Sequence, residues 1–186
     1  MQWRNTESTY GALAKFLHWT IVILIIAQYV IIESAEDLPD GPGKFEMVTR
    51  HKSLGMLILG LALVRIAWKV VNKGQPAPVT MPRLQKIAAA AGHGLLYLLI
   101  LAQPISGWMM SSAANYPVTF FGLFQFPAIV APNEGMHETY EEVHEFLFNA
   151  ILVVAVVHVL AALYHHFIQK DDTLRRMLPF AGGRQG

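Results

Sequence analysis

The chain has 186 residues, 54% of them hydrophobic and only 15% charged, with 14 Lys and Arg against 13 Asp and Glu. That leaves too little polar surface for a soluble domain of this size, so an integral membrane protein is expected, with membrane lipid and no nucleic acid among its partners. The absence of cysteine excludes disulfides, iron–sulfur clusters and cofactors attached at a Cys-x-x-Cys-His site.

Long apolar runs cover residues 13–32, 54–71, 87–110 and 146–167. Lipid offers the backbone no hydrogen bonds, so each run should be a helix. The expectation is an all-α membrane protein, a four-transmembrane-helix bundle in one domain over 1–186, with helices near 12–33, 48–72, 84–111 and 138–168. The first run is too long for a signal peptide and lacks a small-residue cleavage site, so it reads as a retained helix. Positive charge gathers in the N-terminal tail (Arg4, Lys15), around the second loop (Lys69, Lys73, Arg83, Lys86) and in the C-terminal tail (Lys170, Arg175, Arg176, Arg184). The positive-inside rule then puts both termini in the cytoplasm of a bacterial inner-membrane, multi-pass protein.

Helix one opens with Lys15-Phe16-Leu17-His18-Trp19, placing His18 about one turn into the inner side. After an acidic first loop, helix two begins Arg50-His51-Lys52-Ser53 at the outer side, and Arg65 follows fourteen residues after His51 at the inner level. Arg65 either snorkels to the interface or pairs with a cofactor carboxylate. Lys52, next to His51, counts among the cofactor-binding residues as a positive charge at the outer level. Helix three carries Gly92-His93-Gly94 at the inner level and should kink at Pro104 without ending there. The third loop, 111–142, holds an apolar piece broken by Pro117 and Pro127, expected to form a short helix or re-entrant segment that caps the outer face. His137 is expected in water, a surface metal site being the minor alternative.

Helix four organises the rest. His144 and His158 are fourteen residues apart, which on a helix is about 3.9 turns and roughly 21 Å of rise with about 40° of drift. Both imidazoles leave one face at two depths, and lipid tolerates such side chains poorly unless they have a function. At its end His165 and His166 are expected to snorkel to the surface, and Asp171-Asp172-Thr173 to start a short interfacial helix. Alternating helix direction puts His51 level with His144, and His18 and His93 level with His158. Two imidazole pairs on opposite sides of a bilayer suit a di-haem electron wire, since imidazole is a standard axial ligand and bundles hold cofactors between facing helices. On geometry alone, His18 and His93 compete as the partner of His158.

The strings FLHW, RHKSLG, GHGLLYLL and HHFIQKDDTLRRM resemble the bacterial cytochrome b561 family over essentially the whole chain. The resemblance implies two b haems with His18 paired to His158 and His51 to His144, leaving His93 beside the inner haem and a quinone site. It also implies single-electron transfer between ubiquinone and a second, periplasmic redox partner, and one family member looks like a superoxide oxidase that passes electrons from superoxide to ubiquinone. Here, however, the outer loops carry ten carboxylates against Lys44, Arg50 and Lys52. That charge suits a basic carrier better than an anionic radical. Two other functions compete: a haem-bearing anchor subunit of a larger dehydrogenase, inactive alone, and a metal or proton transporter with a histidine relay, which predicts no Soret band. A homodimer is compatible with each reading.

Overall fold

The computed structural model describes residues 2–6, 8–72 and 81–179; Lys73 and Arg184, counted above in the charge balance, lie outside them. Four helices are long and apolar enough to cross a membrane: α1 (Ala12–Glu36), α2 (Pro42–Val71), α3 (Arg83–Ala113) and α4 (Glu134–Tyr164), the last continuing into a π-helical turn, His165–Gln169. Two of them, α2 and α4, start well before the hydrophobic pattern because local signals begin them there. Pro42 sits at the first helical position of α2, where its missing N–H costs nothing. Asn133 caps α4 by accepting the Met136 N–H at 3.0 Å, which moves that start to Glu134. Helix α3 passes through Pro104 unbroken.

The helices run alternately up and down. At one end the Thr9 hydroxyl donates to the Arg176 carbonyl at 3.1 Å and the Trp19 indole N–H to the Met177 carbonyl at 2.9 Å. Thr9, Arg176 and Met177 therefore lie together at one end, called the terminal end here; the opposite end is the distal end. Gly11 permits the N-terminal segment to fold back, since a Cβ there would fall 2.4 Å from the Trp3 carbonyl oxygen.

Packing is sequential, α1 on α2, α2 on α3 and α3 on α4, but no Cα of α4 lies within 8 Å of a Cα of α1 or α2. Packed helices have axes only about 8–10 Å apart, so a slot separates α4 from the first two helices. A small core of Leu17, Ile21, Met56, Ile58, Ala62, Leu99 and Ile151 is buried, while Phe146, Val157 and Leu160 of α4 face outward, as side chains meeting lipid tails should.

Three expectations are corrected. The third loop is a β-hairpin rather than a short helix: β1 (Val118–Phe120) pairs antiparallel with β2 (Phe124–Phe126). Pro117 and Pro127 bound the two strands, and Phe121 and Gly122 take positive φ in the turn. Buried Ser53 fixes the hairpin to α2, donating to the Thr119 carbonyl at 2.8 Å and accepting from the Phe121 N–H at 3.1 Å. His137 is half-buried, not solvated, because its Nδ1–H donates to the Met110 carbonyl at 3.2 Å near the end of α3.

The tail is the third. Asp171 starts no helix and His165 does not snorkel; its Nδ1 meets Asp171 Oδ2 at 2.5 Å, with both side chains largely buried. Lys170, at φ 55°, reverses the chain between them, and Asp171 Oδ1 accepts the Thr173 N–H at 2.8 Å. Burial pushes the Asp171 carboxyl up, but the hydrogen bonds from His165 and Thr173 outweigh it and hold it below its ordinary value. A depressed carboxyl stabilises the fold above its unfolded pKa of about 4 and loses that contribution as pH falls through the lower folded value. Acidification below about pH 4 should therefore release residues 171–178, read as lower amide protection there, relative to the intrinsic exchange rate at each pH, than at neutral pH. Asp171→Asn should show low protection at both pH values; equal protection of the unsubstituted tail at pH 3 and pH 7 would contradict the assignment.

Candidate functional site

Four helices each bring a histidine to the slot. At the distal level His51 of α2 faces His144 of α4 with ring centres 6.3 Å apart and planes at 78°. At the terminal level His18 of α1 faces His158 of α4 at 6.4 Å and 72°. An imidazole–metal bond of about 2 Å and a ring radius of about 1.2 Å put the centres of two trans imidazoles about 6.4 Å apart. His93 of α3 is nearer to His158, at 5.3 Å, which is too close for a metal ion to lie between them in that way. Among the described residues no group of three or more His, Cys, Asp or Glu converges as a metal cage, His137 included. The facing pairs therefore suit a metal that brings its in-plane donors with it.

The distal pair sits in a cavity of about 390 Å³ lined by Gln28, His51, Gly55, Gln103, Gly107 and His144 among others, within the size range of cofactor pockets, about 300–1,000 Å³. Its polar atoms are arranged around His144. The Ser106 hydroxyl donates to the Gln103 carbonyl at 2.8 Å, so its oxygen is left to accept from His144 Nδ1–H at 2.9 Å. His144 Nε2 then carries the lone pair, which the Gln103 side-chain amide meets at 3.1 Å. Such an outer hydrogen bond fixes the tautomer a ligating histidine needs. Gly107 makes room for the ring: a Cβ there would stand 2.9 Å from His144 Cε1. Across the slot Gln28 donates to the His51 carbonyl at 3.0 Å, while His51 Nδ1 is buried without a partner among the described residues. Tyr29 of α1 stacks on Phe148 of α4 at 5.7 Å, spanning the gap the backbones leave.

The cations take positions the sequence left open. Arg65 donates to the Ala14 carbonyl, in the first turn of α1, at 2.9 Å and stands over the Tyr97 ring at 5.9 Å. Lys52 lines the distal cavity and lies over the Tyr116 ring at 5.3 Å. Sequence reasoning passed over Gln28, Gln103, Ser106 and Gly107. The glutamines carried a signal, being amides inside apolar runs. Ser106 and Gly107 carried none, because their importance comes from the neighbouring helix.

The profile described as prokaryotic cytochrome b561 matches residues 9–180. The chain belongs to that family. As a cytochrome b561 it is a multi-pass membrane protein that carries b-type haem and serves electron transfer. It is similar to cytochrome b561 homolog 2 of Escherichia coli (strain K12), 34% identical over 182 residues, covering 96% of this chain and 95% of the relative. It is similar to the probable superoxide oxidase CybB of Yersinia pestis, 32% identical, covering 91% and 96%. It is also similar to cytochrome b562 of Cereibacter sphaeroides, 33% identical, covering 92% and 96%. The b561 family supplies a chemical reason for the slot, two imidazole pairs and a glycine cradle in an otherwise apolar bundle.

Proposed function

We propose that this b561 cytochrome binds two haems b, one at each level, and passes electrons along them between the quinone pool and a redox partner at the distal, periplasmic end of the bacterial inner membrane. The two facing imidazole pairs, with ring centres 6.3 and 6.4 Å apart, wide enough for one metal ion between each pair, support the reading. His51 and His144 would hold the distal haem, and His18 and His158 the terminal, cytoplasmic one. Bound haem supplies a one-electron iron couple, its potential set by ligands, hydrogen bonds and burial. Ser106 orients His144 and holds its Nδ1 proton. Gly55 and Gly107 keep the slot open. Lys52 and Arg65 offer positive charge to anionic groups of the cofactor at their respective levels. His93, too close to His158 to share a metal with it, would hydrogen-bond a quinone carbonyl near the terminal haem.

The distal charge supports a cationic partner. Of the three cations there, Lys44 pairs with Asp40 at 3.0 Å and Arg50 with Glu46. Glu33, Glu36, Glu141 and Glu145 line the distal cavity. Such a face slows anions such as superoxide and steers a basic carrier protein inward. In purified protein, the reduced-minus-oxidised spectrum should give two b haems per chain, and ubiquinol should reduce them. Electrons should then pass to a basic cytochrome c at a rate that falls as salt rises. A single haem per chain would overturn the wire, and no reduction by ubiquinol would overturn the quinone link. A faster reaction with superoxide than with the basic cytochrome would overturn the partner.

A further inference from the structure

The hairpin presents an apolar surface that the redox site does not use. Leu123 is 77% exposed, and Phe121, Phe124, Tyr116 and Ile129 are exposed with it. No Asp, Glu, Lys, Arg or His occurs from Ser111 to Asn133. The rest of the distal end is charged: Glu134, Glu138, Glu141 and Glu142 follow at once on α4, and Asp37, Asp40, Lys44, Glu46 and Arg50 surround the α1–α2 connection. The distal end is thus divided into a charged part and an uncharged aromatic part.

The aromatic part is continuous with the lipid-facing surface. On α3, Leu98 and Ile105 are exposed along one stripe. Trp108 follows, with its ring edge-on to Phe126 at 5.4 Å and its N–H on the Pro127 carbonyl at 3.0 Å. Protein partners meet a surface with a polar rim around an apolar centre, and this segment has no charged rim of its own. Membrane interfaces collect aromatic side chains that anchor at headgroup level. The base of the hairpin is fixed from inside, by Ser53 and by buried Val118, which also lines the distal cavity.

We propose that the hairpin tip, Phe121 to Phe124, is seated in the lipid leaflet at the distal end, so that the bilayer surface holds the roof of the distal cavity. The occupant of the apolar face is lipid, not a soluble protein and not a second copy of the chain. This inference rests on the membrane-spanning bundle alone and stands whether or not the haem assignments do.

The chain has no cysteine, so single-cysteine variants accept a nitroxide label at one place. Full-length Leu123→Cys in phospholipid vesicles is compared with Val157→Cys, exposed on the apolar face of α4, and Glu138→Cys, exposed beside the acidic residues. The label at 123 should collide with oxygen more often than with a water-soluble nickel chelate, as at 157 and opposite to 138. Phe124→Cys should agree. Preference for the nickel chelate at 123 would show an aqueous face and overturn the proposal. So would exclusion of both agents with dipolar broadening between labels, which would mean that a second copy covers the tip.

Discussion

His144→Ala and His158→Ala are each expected to lose one haem, and a different one. With His144 gone, His51 keeps a single imidazole at the distal level; Gln103 and Ser106, which surround the removed ring, offer no replacement ligand of comparable strength. Haem absorbance per chain should fall by about half, since b-type haem is held only by ligation and burial, and the remaining signal should belong to the terminal site. His158→Ala should do the converse. His93→Ala should retain both haems, because a ring 5.3 Å from His158 is too close to share one metal ion with it, whereas His18→Ala should lose the terminal one. Haem-to-protein ratios of the four variants decide the matter. Full loading in His18→Ala with loss in His93→Ala would exchange the roles of those two residues, and two full haems in His158→Ala would remove the assignment altogether.

The second large effect is expected at a residue with no chemistry of its own. In Gly107→Ala the new methyl would stand 2.9 Å from His144 Cε1 and 3.2 Å from Nδ1, so the ring must move away from Ser106 or the helices must part. Overpacking of this kind costs about 1–3 kcal/mol, and the displaced ring also loses the hydrogen bond that fixes its tautomer. Distal haem retention should weaken by roughly tenfold, the upper part of that cost being shared by relaxation, with Gly107→Val worse. The terminal haem should be untouched. Transfer of haem to an excess of a haem-free acceptor protein, followed spectrally, measures this; unchanged retention of both haems in Gly107→Val would show that the ring has another place to go. Ser106→Ala separates the two causes, since it removes the hydrogen bond without adding volume.

The two variants also show where sequence reasoning ends. His144 and His158 stand out in a bare sequence because imidazole inside an apolar run is costly, and their interval of fourteen fixes a common face by helix geometry alone. Gly107 and Ser106 could not be found that way. Their roles depend on which residue of α4 lies opposite, and nothing local to α3 states that. The hairpin failed for a related reason. Its prolines bar a membrane-spanning helix, but the same apolar and aromatic residues suit a short strand as well as a helix, and Ser53, 65 residues before the first strand, makes the choice.

By itself, the sequence determined the four spanning helices, their alternating direction, the family and the levels at which the histidines lie. These follow from hydropathy, helix rise and motif, each a property of a contiguous stretch. The tertiary structure decided that α4 stands apart from α1 and α2, that His18 rather than His93 faces His158 at the wider spacing, and that a serine and a glycine on α3 position His144. The physical reason is rotation: a helix drawn from sequence has a known length and a known face relative to itself. Its angle about its own axis relative to its neighbours is set only when side chains from different segments compete for one volume.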